Sequence, residues 1–211
     1  MAGRQPKRRG KRPARHEREH HLRVIGGEWR SRVLPVADRP GLRPTPNRVR
    51  ETLFNWLTPM LAGARCVDLF AGTGALGIEA LSRGAAHAVF IERDRRAAAA
   101  IDAALATLGA TDRGRVLIAD GTQPARHLAG ERADIVFVDP PFDANLHAAA
   151  LAGIDDLVHP QSRVYVEYPA YDEAAIGEQL AARYQILRQS RSAGVGYCLA
   201  RVRPAGDHGA S

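Results

Sequence analysis

The sequence predicts an α/β protein: a mostly parallel, doubly wound sheet of seven strands that ends in an antiparallel hairpin, with a small β-hairpin and a helix in front. Three observations predict it. From Arg65 onward, short apolar runs alternate with amphipathic segments in five strand–helix repeats, the pattern of a parallel sheet covered by helices. The last two apolar runs are joined by a connection near Ser192–Gly196 that is too short for a crossover, so they pair antiparallel. The 211 residues, 45% hydrophobic and 25% charged, suffice for one such domain with its own core and an appendage.

Taken in order, residues 1–20 offer no apolar run and are expected to be disordered. Leu22–Ile25 and Trp29–Val36 flank Gly26-Gly27, which reads as the turn of a hairpin. Asp38–Pro46, with its Pro and Gly residues, is a loop. A helix follows, with Thr45 as N-cap and Pro46 in its first position. Val49, Leu53, Trp56, Leu57 and Met60 form its apolar stripe, while Arg48, Glu51 and Asn55 lie on another face. The strand-like runs of the main domain are Arg65–Phe70, His87–Glu92, Arg115–Ala119, Asp134–Asp139, Arg163–Tyr168, Gln185–Gln189 and Tyr197–Val202. Between them, Ala75–Ser82, Arg95–Leu108, Thr122–Ala129, Leu146–Val158 and Glu173–Arg183 read as helices. In the second of these, Ile101, Ala104, Leu105 and Leu108 share a face and Gly109 is the stop signal. The chain thus divides into a basic tail (1–20), an appendage (21–62), the α/β domain (63–203) and a disordered C-terminus (204–211).

Composition narrows the function. The net charge of +7 is uneven: residues 1–32 hold 11 Lys and Arg against 3 acids, a net of +8, and residues 33–211 are nearly neutral at −1. Such an arm suits a polyanion, because each neutralised phosphate releases counterions; a solvated tail that aids solubility is the plainer reading. No long apolar run is present to span a membrane, and the basic N-terminus is not followed by the apolar stretch of a secretory signal. Cys66 and Cys198 sit inside apolar runs without metal-ligand neighbours, as two reduced core thiols of a cytoplasmic protein would. No metal site is expected, and nothing suggests more than a monomer.

In an open α/β sheet, ligands bind beyond the carboxyl ends of the strands. The first strand of the main domain ends in Asp68-Leu-Phe-Ala71-Gly72-Thr73-Gly74, and Gly72-x-Gly74-x-x-Gly77 with Glu92 after the next strand also fits a dinucleotide fingerprint. Charge separates the possibilities. Asp68, Glu92, Asp120 and Asp139 close the first four strands of the domain and face one crevice. Unpaired carboxylates repel a pyrophosphate, but they suit S-adenosylmethionine, with its sulfonium and ammonium. Any one such acid is as readily a helix cap or turn residue; four in register beside a Gly-rich turn are not so easily dismissed.

The fourth strand of the domain runs into Asp139-Pro140-Pro141-Phe142. An acid–Pro–Pro–aromatic element at this place is similar to the tetrapeptide of enzymes that methylate planar amino nitrogens. An exocyclic base amine is a poor nucleophile because its lone pair is delocalised into the ring. The Asp139 carboxylate and the Pro140 carbonyl can accept its two N–H groups and support the charge that develops. Consecutive prolines fix φ and lack N–H donors, so the carbonyl stays free and aimed. Phe142 offers a flat face to the base, worth about 1–3 kcal/mol of stacking. For Pro-Pro-Phe alone, a rigid loop entry is the plainer reading.

Longer blocks carry a closer resemblance. Arg23-Val-Ile-Gly-Gly-Glu-Trp29-Arg30, Gly41-Leu-Arg43-Pro-Thr45-Pro-Asn-Arg48-Val-Arg-Glu-Thr-Leu-Phe-Asn-Trp56, Asp68–Ala80 and Val138–Phe142 resemble the RsmD family of bacterial 16S ribosomal RNA guanine-N2 methyltransferases, from about residue 22 to about residue 203. The first two blocks are the specific ones. The resemblance implies the class I methyltransferase variant of the Rossmann-like fold. It implies methyl transfer from S-adenosylmethionine to N2 of a guanine of 16S rRNA (the 966-type position in rRNA numbering), with S-adenosylhomocysteine as product. The partner would be 16S rRNA or an assembling small ribosomal subunit. It further implies that Ala71, Gly72, Thr73 and Gly74 cradle the methionine part, Glu92 holds the ribose and Asp120 the adenine amine, and Thr45 helps close the pocket. Arg23, Trp29, Arg30, Arg43 and Arg48 would face RNA; Trp29 packing its own hairpin, and Arg43 and Arg48 pairing with Glu51, are the bland alternatives.

Three rivals stand beside this. An adenine-N6 nucleic-acid methyltransferase or a glutamine-N5 protein methyltransferase uses the same acid–Pro–Pro–aromatic element. An NAD-dependent oxidoreductase would read Gly72–Gly77 as its fingerprint. A non-catalytic RNA-binding assembly factor would keep the fold, but the intact Asp68, Gly72, Glu92 and Asp139 speak against it.

Overall fold

A computed structural model describes residues 21–36, 46–142 and 145–203. The basic tail, the C-terminus from 204, and Arg43 and Thr45 lie outside the described residues. In chain order the elements are β1 (His21–Arg23), β2 (Val33–Pro35), α1 (Asn47–Leu61), β3 (Arg65–Asp68), α2 (Ala75–Ser82), β4 (His87–Ile91), α3 (Arg95–Leu108), β5 (Gly114–Leu117), β6 (Ile135–Val138), α4 (His147–Gly153), β7 (Arg163–Pro169), α5 (Glu173–Ala181), β8 (Tyr184–Ser192) and β9 (Val195–Val202).

The seven strands from β3 onward form one sheet in the order β5-β4-β3-β6-β7-β9-β8. Pairing is parallel from β5 through β7, and β9 is antiparallel to both β7 and β8. Alternate residues of each strand face opposite sides. Cys66, Ile135, Phe137, Tyr165 and Tyr197 join one apolar cluster with residues of α1, α2 and α3. Val67, Val136, Val138, Val164 and Val166 join another with Leu151 of α4 and Ile176 of α5. β6 is buried along its whole length, so its sequence is continuously apolar. The chain runs outward from β3 to β5 and then returns to β6 on the other side of β3. The resulting switch point opens a crevice at the carboxyl ends of these two strands.

α2 and α3 have the bounds that the sequence predicts. The Asp94 carboxylate accepts from the Arg96 and Ala97 N–H groups, and Gly109 takes a left-handed φ of 66° after Leu108. Elsewhere the structure corrects the sequence reading. α1 starts at Asn47, with Pro46 in the cap position rather than inside the helix. Thr122–Ala129 forms only a 3-10 turn at Pro124–Arg126: the Asp120 carboxylate captures the Thr122 N–H, and Pro124 has no N–H to give. α4 stops at Gly153, where an added Cβ would lie 2.4 Å from the Thr122 carbonyl oxygen.

The hairpin differs most. Leu22 pairs with Leu34, and residues 24–32 between the strands form a folded loop rather than a turn on Gly26-Gly27. That loop is fastened to α2. The Glu79 carboxylate accepts from the Ile25 and Gly26 N–H groups, both at 2.8 Å, and from Arg83 Nε at 2.7 Å. Arg50 of α1, itself buried, places Nη1 3.6 Å from Glu79 and donates through Nη2 to the Arg23 carbonyl and Asn47. The Ser82 hydroxyl donates to the Gly26 carbonyl at 2.6 Å and accepts from the Trp29 N–H at 3.0 Å. Among the described residues, no helix is long and apolar enough to cross a membrane.

Candidate functional site

The crevice begins where β3 ends. After Asp68 the chain turns through residues 69–74, held to β4 by the Ala71 N–H on the Ile91 carbonyl at 2.9 Å. Glu92 clamps the same turn: one oxygen accepts from the Gly72 N–H at 2.8 Å and the other from the Asp94 N–H at 2.7 Å. Gly72 and Gly74 have φ of 53° and 75°, a region that an L side chain rarely enters. Gly77 serves another need, since a Cβ there would lie 2.2 Å from the Phe90 ring. The three glycines therefore shape the turn and bring α2 close to the sheet.

Asp68 is buried, and its Oδ2 accepts from the Gly77 N–H at 3.3 Å. Its Oδ1 is buried with no hydrogen-bond partner. Burial, then the neighbouring Asp139 and Glu92 charges, push this carboxyl up to about 7. Asp120, three residues past β5, is exposed. The Thr122 N–H and hydroxyl on its Oδ1, at 2.9 and 2.8 Å, hold it below the usual carboxylate range. All four acids singled out in the sequence thus fall at carboxyl ends of neighbouring strands, as expected, though their exposure differs widely.

β6 delivers Asp139, half-buried, followed by a buried Pro140, an exposed Pro141 and Phe142 with 37% of its surface exposed. The crevice also contains a group that sequence reasoning missed. Val138 pairs with Val166, so Asp139 stands beside Glu167 of β7. Glu167 is buried, and the Tyr165 hydroxyl donates to its Oε2 at 2.8 Å. His147 Nε2 lies 2.8 Å from the Glu167 carbonyl oxygen. Burial and the Asp139 charge push the Glu167 carboxyl up to about 9, against the pull of the Tyr165 hydroxyl. The signal was an acid inside the otherwise apolar run Val164-Tyr-Val-Glu-Tyr168.

Around the appendage, Arg23, Arg30 and Arg48 are exposed. Trp29 is not available to a base, a correction to the sequence reading. It is 3% exposed within the core, and the Arg113 guanidinium lies 5.0 Å over its ring. Trp56 is half-buried with its ring 5.5 Å from Tyr197, a packing role. Two open depressions of about 400 and 390 Å³ lie at the opposite, amino ends of the strands, lined by residues such as Ala64, Asp134 and Arg163 or Arg65, His87 and Arg115. Neither includes a crevice residue, and the chemistry lies elsewhere.

A seven-stranded sheet of this order, its Gly-rich turn at the switch point and Asp-Pro-Pro-Phe across from it define a class I methyltransferase. Comparison with known proteins agrees. The family model described as "Conserved hypothetical protein 95" matches residues 22–198. "Ribosomal RNA small subunit methyltransferase D" of Escherichia coli K12 is 47% identical over 156 residues, 72% of this chain and 77% of that protein. Its namesake in Haemophilus influenzae is 40% identical over 153 residues, 69% of this chain and 78% of that one. The solved structure of yhhF from Escherichia coli superposes with a TM-score of 0.75 at 41% identity, covering 87% of this chain and 98% of that one. The chain belongs to the RsmD family of methyltransferases.

Proposed function

We propose that this crevice binds S-adenosylmethionine and that Asp139–Phe142 presents the exocyclic N2 of a 16S rRNA guanine to it, yielding N2-methylguanine and S-adenosylhomocysteine. The observation that carries the reading is the juxtaposition, on neighbouring strands, of Asp68 and the Asp139-Pro-Pro-Phe element. The name shared by the relatives supports rRNA as the substrate. The residues present fit the cofactor: the unpartnered buried oxygen of Asp68 suits a cationic group, and the left-handed turn at Gly72 and Gly74 leaves no side chain in its path. Ala71, Gly72, Thr73 and Gly74 would cradle the methionine end, Glu92 the ribose and Asp120 the adenine amine, with Thr45 closing the pocket. When bound, S-adenosylmethionine supplies an electrophilic methyl group on a sulfonium.

The protein's own residues do the rest. The Asp139 carboxylate and the Pro140 carbonyl accept the two N–H groups of the amine, and Phe142 stacks on the base. The amine nitrogen would take the methyl group as the carbon–sulfur bond gives its electron pair to sulfur, and the alkylated nitrogen would release its extra proton to water. Rate comes mainly from orientation. Exposed Arg23, Arg30 and Arg48, with Arg43, would meet phosphates of the rRNA or of the assembling small subunit, and the enzyme would act as a monomer.

The test is methyl transfer from radiolabelled S-adenosylmethionine to rRNA and small subunits that lack native methylation, with DNA and release-factor protein as parallel acceptors. N2-methylguanine in the rRNA is the expected product. Label in N6-methyladenine or in protein would move the enzyme to a rival substrate, and tight NAD binding would overturn the cofactor.

Two further results are expected. An ammonium-bearing ligand prefers ionised Asp68, so protons compete with it below the Asp68 pKa. Calorimetric affinity for S-adenosylhomocysteine should be level above pH 7 and fall about tenfold per unit well below it; Asp68→Asn should remove that slope. Deleting residues 1–20, which carry eight Lys and Arg against two acids, should weaken rRNA binding most at low salt. An unchanged salt slope in a filter-binding titration would exclude the tail from the interface.

A further inference from the structure

Three carboxyl groups stand in a row on the face of the sheet that carries α1: Asp68 on β3, Asp139 after β6 and Glu167 on β7. The mechanism above uses the first two. We propose that Glu167 is a positioning residue for Asp139, a neutral carboxyl group that fixes the charge and aim of its neighbour while the amine reacts. This rests on the reading of Asp139 as the acceptor of the amine.

Paired residues of parallel strands point to the same face, and the strands lie about 4.8 Å apart. Val138 opposite Val166 therefore sets Asp139 and Glu167 side by side. Two carboxylates on neighbouring positions of paired strands do not both ionise readily, and the proton goes to the group that loses more by being charged. Glu167 is 4% exposed and Asp139 is half-buried, so Glu167 keeps the proton. Burial outweighs the one bond that favours its carboxylate, the Tyr165 hydroxyl on Oε2, and that bond leaves the other oxygen to carry the hydrogen. The remaining groups that face it are Asp139 from β6, Tyr197 from β9 opposite Glu167, and His147 of α4 at its main-chain oxygen. Among these described residues, none is a cation.

The consequence is a division of labour. Asp139 remains an anion, so no carboxyl proton competes with the amine N–H groups for its oxygens. Glu167 places a neutral carboxyl group beside it and adds no second negative charge. The fixed His147 contact and the Tyr165 hydrogen bond hold it in place. Once Glu167 ionises, near pH 9, two charges face each other and the aim of Asp139 is lost.

The experiment measures kcat and KM between pH 6 and 10 with saturating cofactor and the rRNA acceptor, for the wild type, Glu167→Gln, Glu167→Ala and Tyr165→Phe. Glutamine mimics the neutral acid: it should keep near-wild-type kcat at neutral pH and abolish the fall of kcat above pH 9. Alanine should lower kcat about 10–100-fold with the KM for the rRNA acceptor unchanged. Tyr165→Phe removes the bond that favours the carboxylate, so its alkaline fall should move to higher pH. A glutamine variant as impaired as the alanine one, or one that keeps the alkaline fall, overturns the proposal. Carboxyl ¹³C NMR of the cofactor-free wild type is the second measurement: Glu167 should titrate near pH 9, and a group already ionised at pH 7 overturns the inference. Because the NMR needs no turnover, a wild type that methylates no rRNA would refute the functional reading alone.

Discussion

Asp139→Ala is expected to lower kcat about 10²–10³-fold, the usual cost of removing one preorganised group aimed at developing charge. Its physical basis is the position of Asp139 immediately after a fully buried strand, where neither the backbone nor Pro140 can swing. The cofactor side of the crevice should respond in the opposite sense. The Asp139 charge is the second cause, after burial, that raises the Asp68 carboxyl. Its removal lets Asp68 ionise at lower pH, so affinity for S-adenosylhomocysteine should hold or improve at pH 6–7. Single-turnover kinetics and calorimetry read the two quantities separately. Wild-type turnover in this variant would exclude Asp139 from the chemistry, and a collapse of cofactor affinity would place it in the cofactor pocket instead.

Glu79→Ala should be the most destabilising single substitution in the appendage contact, at about 3–5 kcal/mol by urea denaturation. The Glu79 side chain is fully buried, so its contacts are not diluted by water. Its loss leaves the Ile25 and Gly26 N–H groups without their acceptor and removes the counter-charge of Arg50. Burial already lowers the Arg50 pKa, with Glu79 the main opposing influence, and Arg50 Nε and Nη1 have no hydrogen-bond partner of their own. A loss below about 1 kcal/mol, the range of an exposed pair, would show that water reaches the cluster.

The sheet and its site were readable because local chemistry and global fold agree there. The apolar runs of β4 and β6 demand burial, and the acids that follow β3, β4, β5 and β6 fall at the carboxyl ends of neighbouring strands. α3 carries its start and stop in Asp94 and Gly109. The failures have a common cause in long-range contacts. Gly26-Gly27 looks like a turn, yet Gly27 is required because a Cβ would lie 1.8 Å from the Ser82 carbonyl oxygen, 55 positions away in the chain. Trp29 is drawn inward by the same docking. Glu167 escaped notice because an acid in a strand reads as a solvent-facing position until the register with Asp139 is known.

The docking of residues 24–32 onto α2 sets a condition for protein engineering. The hairpin and α1 contribute Leu22, Trp29, Leu34, Leu53 and Phe54 to the same apolar cluster as the sheet. Their polar fastenings are Glu79 and Ser82, on a helix that begins at the Gly-rich turn, with Arg83 just past its end holding the Glu79 carboxylate. A chimera that transplants the N-terminal segment onto a different methyltransferase must therefore carry these three residues as well. Without them the grafted loop would face a helix lacking the acceptors for its backbone, and the transplanted segment would arrive unfolded.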